Sequence, residues 1–162
     1  MRLFIGSFAK LDNFEAFKKR YADLNARWTG ESNLHLTYAF FPDEQDPRKL
    51  LELLRTLPLE EKEVPICGLG HFGKKILYAR VDDETIHRNR AKIDAVLSGV
   101  HEDFDPHVTL ARIKSYDEAL IERIIAKNKT VVLGVIERSI HLIKSTLTPQ
   151  GPVYEVIEEA SV

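Results

Sequence analysis

The chain has 162 residues, 44% hydrophobic and 30% charged, the proportions of one ordinary globular domain: too apolar for disorder and too interrupted by charge for a membrane span. Lysine and arginine total 23 against 25 aspartate and glutamate, a formal charge of -2 at pH 7, so no global positive field advertises a nucleic acid or an anionic membrane, although a local basic cleft stays open. The lone Cys67 excludes an intramolecular disulfide and a multi-cysteine zinc site.

Met1 to Ser7 has a brief apolar stretch without the cleavage pattern of a signal peptide. It reads as a first strand over Arg2 to Ser7, and the expected location is the cytoplasm. From Asp12 to Leu24 the apolar residues Phe14, Phe17, Tyr21 and Leu24 recur at helical spacing. Leu34 to Phe41 alternates as a strand, with His35, Thr37, Ala39 and Phe41 on one face and Leu34, Leu36, Tyr38 and Phe40 on the other. Asp46-Pro47 combines an N-cap with proline at the first helical position and opens a helix to about Leu57.

Val64 to Leu69 and Ile76 to Val81 read as strands joined through the turn Gly70-His71-Phe72-Gly73. A helix over Glu84 to Leu97 is stopped by Ser98-Gly99, and His107 to Ala111 is a further strand. Ser115 to Glu118 has the form of a capping box at the head of a helix reaching Ala126, and strands follow at Thr130 to Val135, Ser139 to Ser145 and Val153 to Ile157. No linker divides the chain. A strand bearing His-x-Thr, then a capped helix, then two strands occurs twice, from Leu34 and from Pro106. The expected architecture is α+β in a single bilobal domain over residues 1–162: two pseudo-symmetric lobes, each a largely antiparallel sheet with flanking helices, around a central cleft.

His35-Leu36-Thr37 and His107-Val108-Thr109 carry the chemical signal. In a strand each imidazole and its hydroxyl partner share a face, and two such strands across a cleft supply two acid/base groups and two hydroxyl donors. That set suits attack at phosphorus: one neutral histidine takes a proton from water, one charged histidine gives a proton to the leaving oxygen, and the threonines hold the nonbridging oxygens. Six histidines and eight threonines placed at random would give only about 0.3 such triplets.

His107-Val108-Thr109-Leu110-Ala111-Arg112, the opening Met1-Arg2-Leu3-Phe4-Ile5, and Ser145-Thr146-Leu147 through Gly151-Pro152-Val153-Tyr154 resemble motifs of the 2H phosphoesterases, and within them the RNA 2',3'-cyclic phosphodiesterases once described as 2'-5' RNA ligases. The resemblance implies a bilobal fold and opening of a terminal cyclic phosphate to a 2'-phosphomonoester, without metal or cofactor. It implies His35 as the general acid, His107 as the base, and Thr37 and Thr109 as phosphate ligands. Arg112 would add positive charge at the phosphate, although strict alternation sets it on the face opposite His107. The chain departs from the family in Tyr38-Ala39-Phe40-Phe41-Pro42 after the first motif, and its two histidines stand only 72 positions apart (107 - 35).

Among the aromatics Phe41 is the best candidate for stacking on a base, because it shares parity with His35, whereas Tyr38 belongs in the core. Trp28 is equally a lid or a packing plug. His71 and the basic residues Lys74, Lys75, Arg88, Arg90 and Lys92 read as solvated, and His101, Glu102, Asp103 and Asp105 resemble metal ligands by type but not by spacing. The expected partner is RNA with a 2',3'-cyclic phosphate end or a cyclic nucleotide, bound by a monomer with no membrane contact. The same site run in reverse would be a 2'-5' RNA ligase, and a site that binds without turning over would be an RNA or nucleotide-binding module.

Overall fold

The computed structural model describes residues 1–97 and 103–158. Among the described residues ten strands form one curled, wholly antiparallel sheet whose main path runs β10 (Gly151–Val156), β9 (His141–Thr148), β1 (Arg2–Leu11), β3 (His35–Phe41), β7 (His107–Ile113), β6 (Ile76–Arg80), β5 (Leu69–Phe72). Short β2 (Ala26–Trp28) pairs with the far end of β7, while β4 (Val64–Cys67) and β8 (Val132–Ile136) pair with each other and, through β8, with the end of β1. The helices are α1 (Phe14–Arg20), α2 (Pro47–Thr56), α3 (Glu84–Val96) and α4 (Glu118–Lys127). The α+β, two-lobed architecture expected from the sequence is the one found.

The helices start where carboxylates satisfy orphan N–H groups. Asp46 accepts from the Lys49 N–H, with Pro47 at the first position; Asp83 accepts from Thr85 and Asp117 from Leu120, each such cap worth about 1 kcal/mol. Asp117, not Ser115, therefore opens α4. Helix α1 ends at Arg20, but Tyr21 and Leu24 remain buried beyond it, so the helical spacing continues past the helix. The single expected strand over Val64 to Leu69 is divided by Gly68, whose φ of 83° only glycine adopts readily. The expected turn at 70–73 is instead mostly strand β5. The stop of α3 at Ser98-Gly99, and His101 and Glu102, lie outside the described residues.

The two halves of the sheet meet at one bridge, Leu36 opposite Val108, both fully buried. The strands on either side of this joint have identical burial, residue for residue, along His35–Phe41 and His107–Ile113. Each also carries a bulge at the same place. Ile5 faces Ala39 and Gly6 faces Thr37, leaving Tyr38 over; Leu77 faces Ala111 and Tyr78 faces Thr109, leaving Leu110 over. Tyr38 and Leu110 are both buried, followed by buried Ala39 and Ala111, so two successive side chains enter the core and the alternation inverts beyond them. Among the described residues no helix is long and apolar enough to cross a membrane.

Candidate active site

Antiparallel pairing of Leu36 with Val108 fixes how the motifs meet. Continuing that register one residue each way sets His35 against Thr109 and Thr37 against His107, all four partly exposed on the face opposite the buried Leu36 and Val108. The two histidines thus occupy diagonal corners and the threonines the other two.

Each imidazole is held by its own chain. His35 Nδ1 lies 2.7 Å from the Asn33 carbonyl oxygen and His107 Nδ1 2.8 Å from that of Asp105, in each case two residues upstream. A carbonyl only accepts, so both Nδ1 atoms carry the proton and Nε2 is the ring nitrogen left for chemistry. A backbone carbonyl can come from any residue, so no sequence signal marks Asn33 or Asp105.

Aromatic rings wall both histidines. His35 sits 4.8 Å from Phe4 and 5.0 Å, edge to face, from Tyr154. His107 sits 4.9 Å from Phe72 and 5.5 Å from Tyr78, and those two rings stack at 4.2 Å. Tyr78 lies over Gly70, where a Cβ would fall 2.5 Å from the ring, so the backbone must be bare there to admit it. Phe4 and Tyr78 are buried yet stand apart from the main core, each against one of the two imidazoles. Burial lowers the His35 pKa below the usual 6.5, the Asn33 carbonyl opposes this, and the charge of His107 lowers it further. That last interaction couples the two imidazoles electrostatically. Tyr154 is raised by burial and pulled back by the charges of Arg2 and Arg112.

The bulges change two expectations. Arg112 lies beyond Leu110 and is exposed, on the face of His107, not the opposite one. Phe41 is half-buried and packs on the core, while Phe40 is 44% exposed with the Arg2 guanidinium 5.0 Å above its ring. The parity with His35 that favours Phe41 in the sequence belongs to Phe40. Trp28 is on β2, packed edge-on against Phe14 and Phe17, which makes it a core plug. Tyr38 is buried as expected. Phe4 and Tyr154 lie in the two terminal segments that carry the family resemblance, but nothing local assigns them to the site, because only long-range strand pairing brings them to His35.

Residues 80–154 match the family of LigT like phosphoesterases. The chain is 31% identical over 155 aligned positions, 88% of each chain, to an RNA 2',3'-cyclic phosphodiesterase of Methanocaldococcus jannaschii. It is 29% identical to one of Aquifex aeolicus, over 98% of this chain and 96% of the other. The crystal structure of TT0787 of Thermus thermophilus superposes with a TM-score of 0.70 at 26% identity, covering 98% of this chain and 96% of that one. The chain belongs to the LigT-like branch of the 2H phosphoesterases.

Proposed function

We propose that this protein hydrolyses 2',3'-cyclic phosphate ends of RNA or nucleotides to 2'-phosphomonoesters, by paired-histidine catalysis that needs no metal. The relatives named above support the reaction. The observation that carries the mechanism is the diagonal pair of imidazoles, each with Nδ1 tied to a carbonyl at 2.7 and 2.8 Å and Nε2 free.

In-line displacement at phosphorus needs a base on one side and an acid on the other, and diagonal corners meet that need. His107 Nε2 takes a proton from water as the water oxygen bonds to phosphorus. The bond from phosphorus to the ribose 3'-oxygen breaks, and His35 Nε2 gives its proton to that oxygen. Thr37 and Thr109 donate to the nonbridging oxygens as charge grows on them, and Arg112, exposed on the same face, adds positive potential. Burial favours neutral His35 in the free protein; an anionic phosphate beside it offsets that burial, so the acid is loaded with its proton as substrate binds.

A panel of 2',3'-cyclic nucleotides and short RNAs with cyclic ends, incubated in EDTA and followed by phosphorus NMR, tests the reading. The expected product is the 2'-phosphate. A 3'-phosphate would reverse the leaving group, joining to an added 5'-hydroxyl strand would favour ligation, and binding without product would leave a recognition module.

A further inference from the structure

Beside the cleft stand arginines that have no ion-pair partner among the described residues. Arg27 on β2 and Arg112 on β7 stand directly opposite each other, and both are exposed. Their neighbours Trp28 and Ala111, also opposed, face the core, so the two guanidinium groups leave from the cleft face. Like charges opposed across an antiparallel pair have Cβ atoms about 4.5–5.5 Å apart and are destabilising. The ion pairs among the described residues join Lys18 to Glu15, Arg88 to Glu60 and Glu84, and Arg90 to Asp94; Arg27 and Arg112 have none.

Three further contacts tie this pair to the catalytic face. The Arg27 guanidinium lies against the first residue of β10, where a Cβ on Gly151 would come within 3.1 Å of its Nη2. Three residues on, Tyr154 reaches His35 at 5.0 Å and interacts with the charges of Arg2 and Arg112. Arg2 itself stacks over Phe40, and its Nε is buried with no hydrogen-bond partner.

We propose that Arg27, with Arg2 beside Tyr154, holds the phosphates that precede the terminal nucleotide of an RNA chain while Arg112 stays with the cyclic phosphate, so that the site selects polynucleotide ends over free cyclic mononucleotides. This rests on the reaction proposed above. A cyclic mononucleotide brings one phosphate, which the histidines, the threonines and Arg112 engage; it leaves Arg27 uncompensated. Each further nucleotide brings another anionic phosphate, and a guanidinium grips such a group through two parallel hydrogen bonds. A net charge of -2 for the whole chain is compatible with this, because the cations are concentrated where the chain end enters.

The test compares kcat/KM for 2',3'-cyclic AMP and for a pentaribonucleotide ending in the same cyclic phosphate, over a salt series. The pentamer is expected to be preferred at low salt and to lose that preference as salt rises, by a log–log slope of about -0.7 per phosphate contact. Arg27→Ala should lower the pentamer value about tenfold, the loss of one charge-assisted contact of about 1.4 kcal/mol, and the mononucleotide value far less; Arg27→Lys should recover part of the difference. An unchanged pentamer-to-mononucleotide ratio in Arg27→Ala, or a wild-type ratio near one at low salt, overturns the inference. If the wild type turns over neither substrate, the reaction itself is wrong, and anisotropy of a labelled 2'-phosphate pentamer still decides: equal affinity for wild type and Arg27→Ala rejects the arginine track, and weaker, less salt-sensitive binding by the variant supports it.

Discussion

The halves of the sheet on either side of the Leu36–Val108 joint use the same strand twice and then furnish it differently. Both histidines donate Nδ1 to the carbonyl two residues upstream, and both meet the edge of a tyrosine, at 77° for Tyr154 on His35 and 67° for Tyr78 on His107. The walls come from different places. Each histidine is enclosed by its own half, but His107 by β5 and β6, which follow each other in sequence, and His35 by β1 and β10, which lie far apart in sequence. Enclosure depresses the His35 pKa. One of two chemically identical groups is thereby given a surrounding that resists its charge, so a repeated strand does not impose a repeated environment.

The strongest way to break the comparison is to remove each imidazole in turn. His35→Ala and His107→Ala are each expected to lower kcat by about 10²–10⁴, and the double variant should fall little further, because the two act in one step. A diester with a nitrophenolate leaving group sharpens the assignment: it needs no acid, so it should restore the rate in His35→Ala and not in His107→Ala. Rescue of the opposite variant would exchange the roles.

Next in size are the hydroxyls. Thr37→Val and Thr109→Val keep the shape and strand preference of threonine while deleting the donor, and each should lower kcat about a hundredfold, with less change in KM. Comparable losses in steady-state assays would support equivalent corners; a variant with wild-type kcat would remove that threonine from the phosphate.

The legible parts of this site are the local ones. His-x-Thr places a ring and a hydroxyl on one face over three residues, and its repetition signals two similar strands facing one site; that the two strands pair directly at a single bridge is seen only in the structure. The bulges are invisible, because His35–Phe41 reads as unbroken alternation and its extra residue is defined only by β1 across from it. Strict alternation consequently puts Arg112 and Phe41 on the wrong faces. Strand β2 has three residues, too few for a period, and it exists because β7 offers it an edge. Helix α1 is shorter than its periodicity because Tyr21 and Leu24 keep helical spacing while being buried from a turn. In each case a tertiary partner, absent from any local window, decides the outcome.

The finest test addresses the lowered His35 pKa by pH alone. If His35 is the acid, kcat/KM falls as the free protein loses the His35 proton, and this alkaline limb should be centred below the ordinary histidine value of 6.5. A limb below 6.5 on the acid side, with the rate rising through it, would make His35 the base instead. Stability carries the same sign independently of turnover. Above pH 6.5 His35 is neutral folded or unfolded and adds no pH dependence; as pH falls below 6.5 the unfolded chain takes up the proton first, so stability drops until the folded pKa is reached. Urea unfolding at pH 7.5 and pH 5.5 should therefore show a smaller loss on acidification in His35→Gln than in the wild type. An equal loss in both would mean that Phe4 and Tyr154 do not resist a charge on His35, and the difference between the two halves would lose its electrostatic meaning.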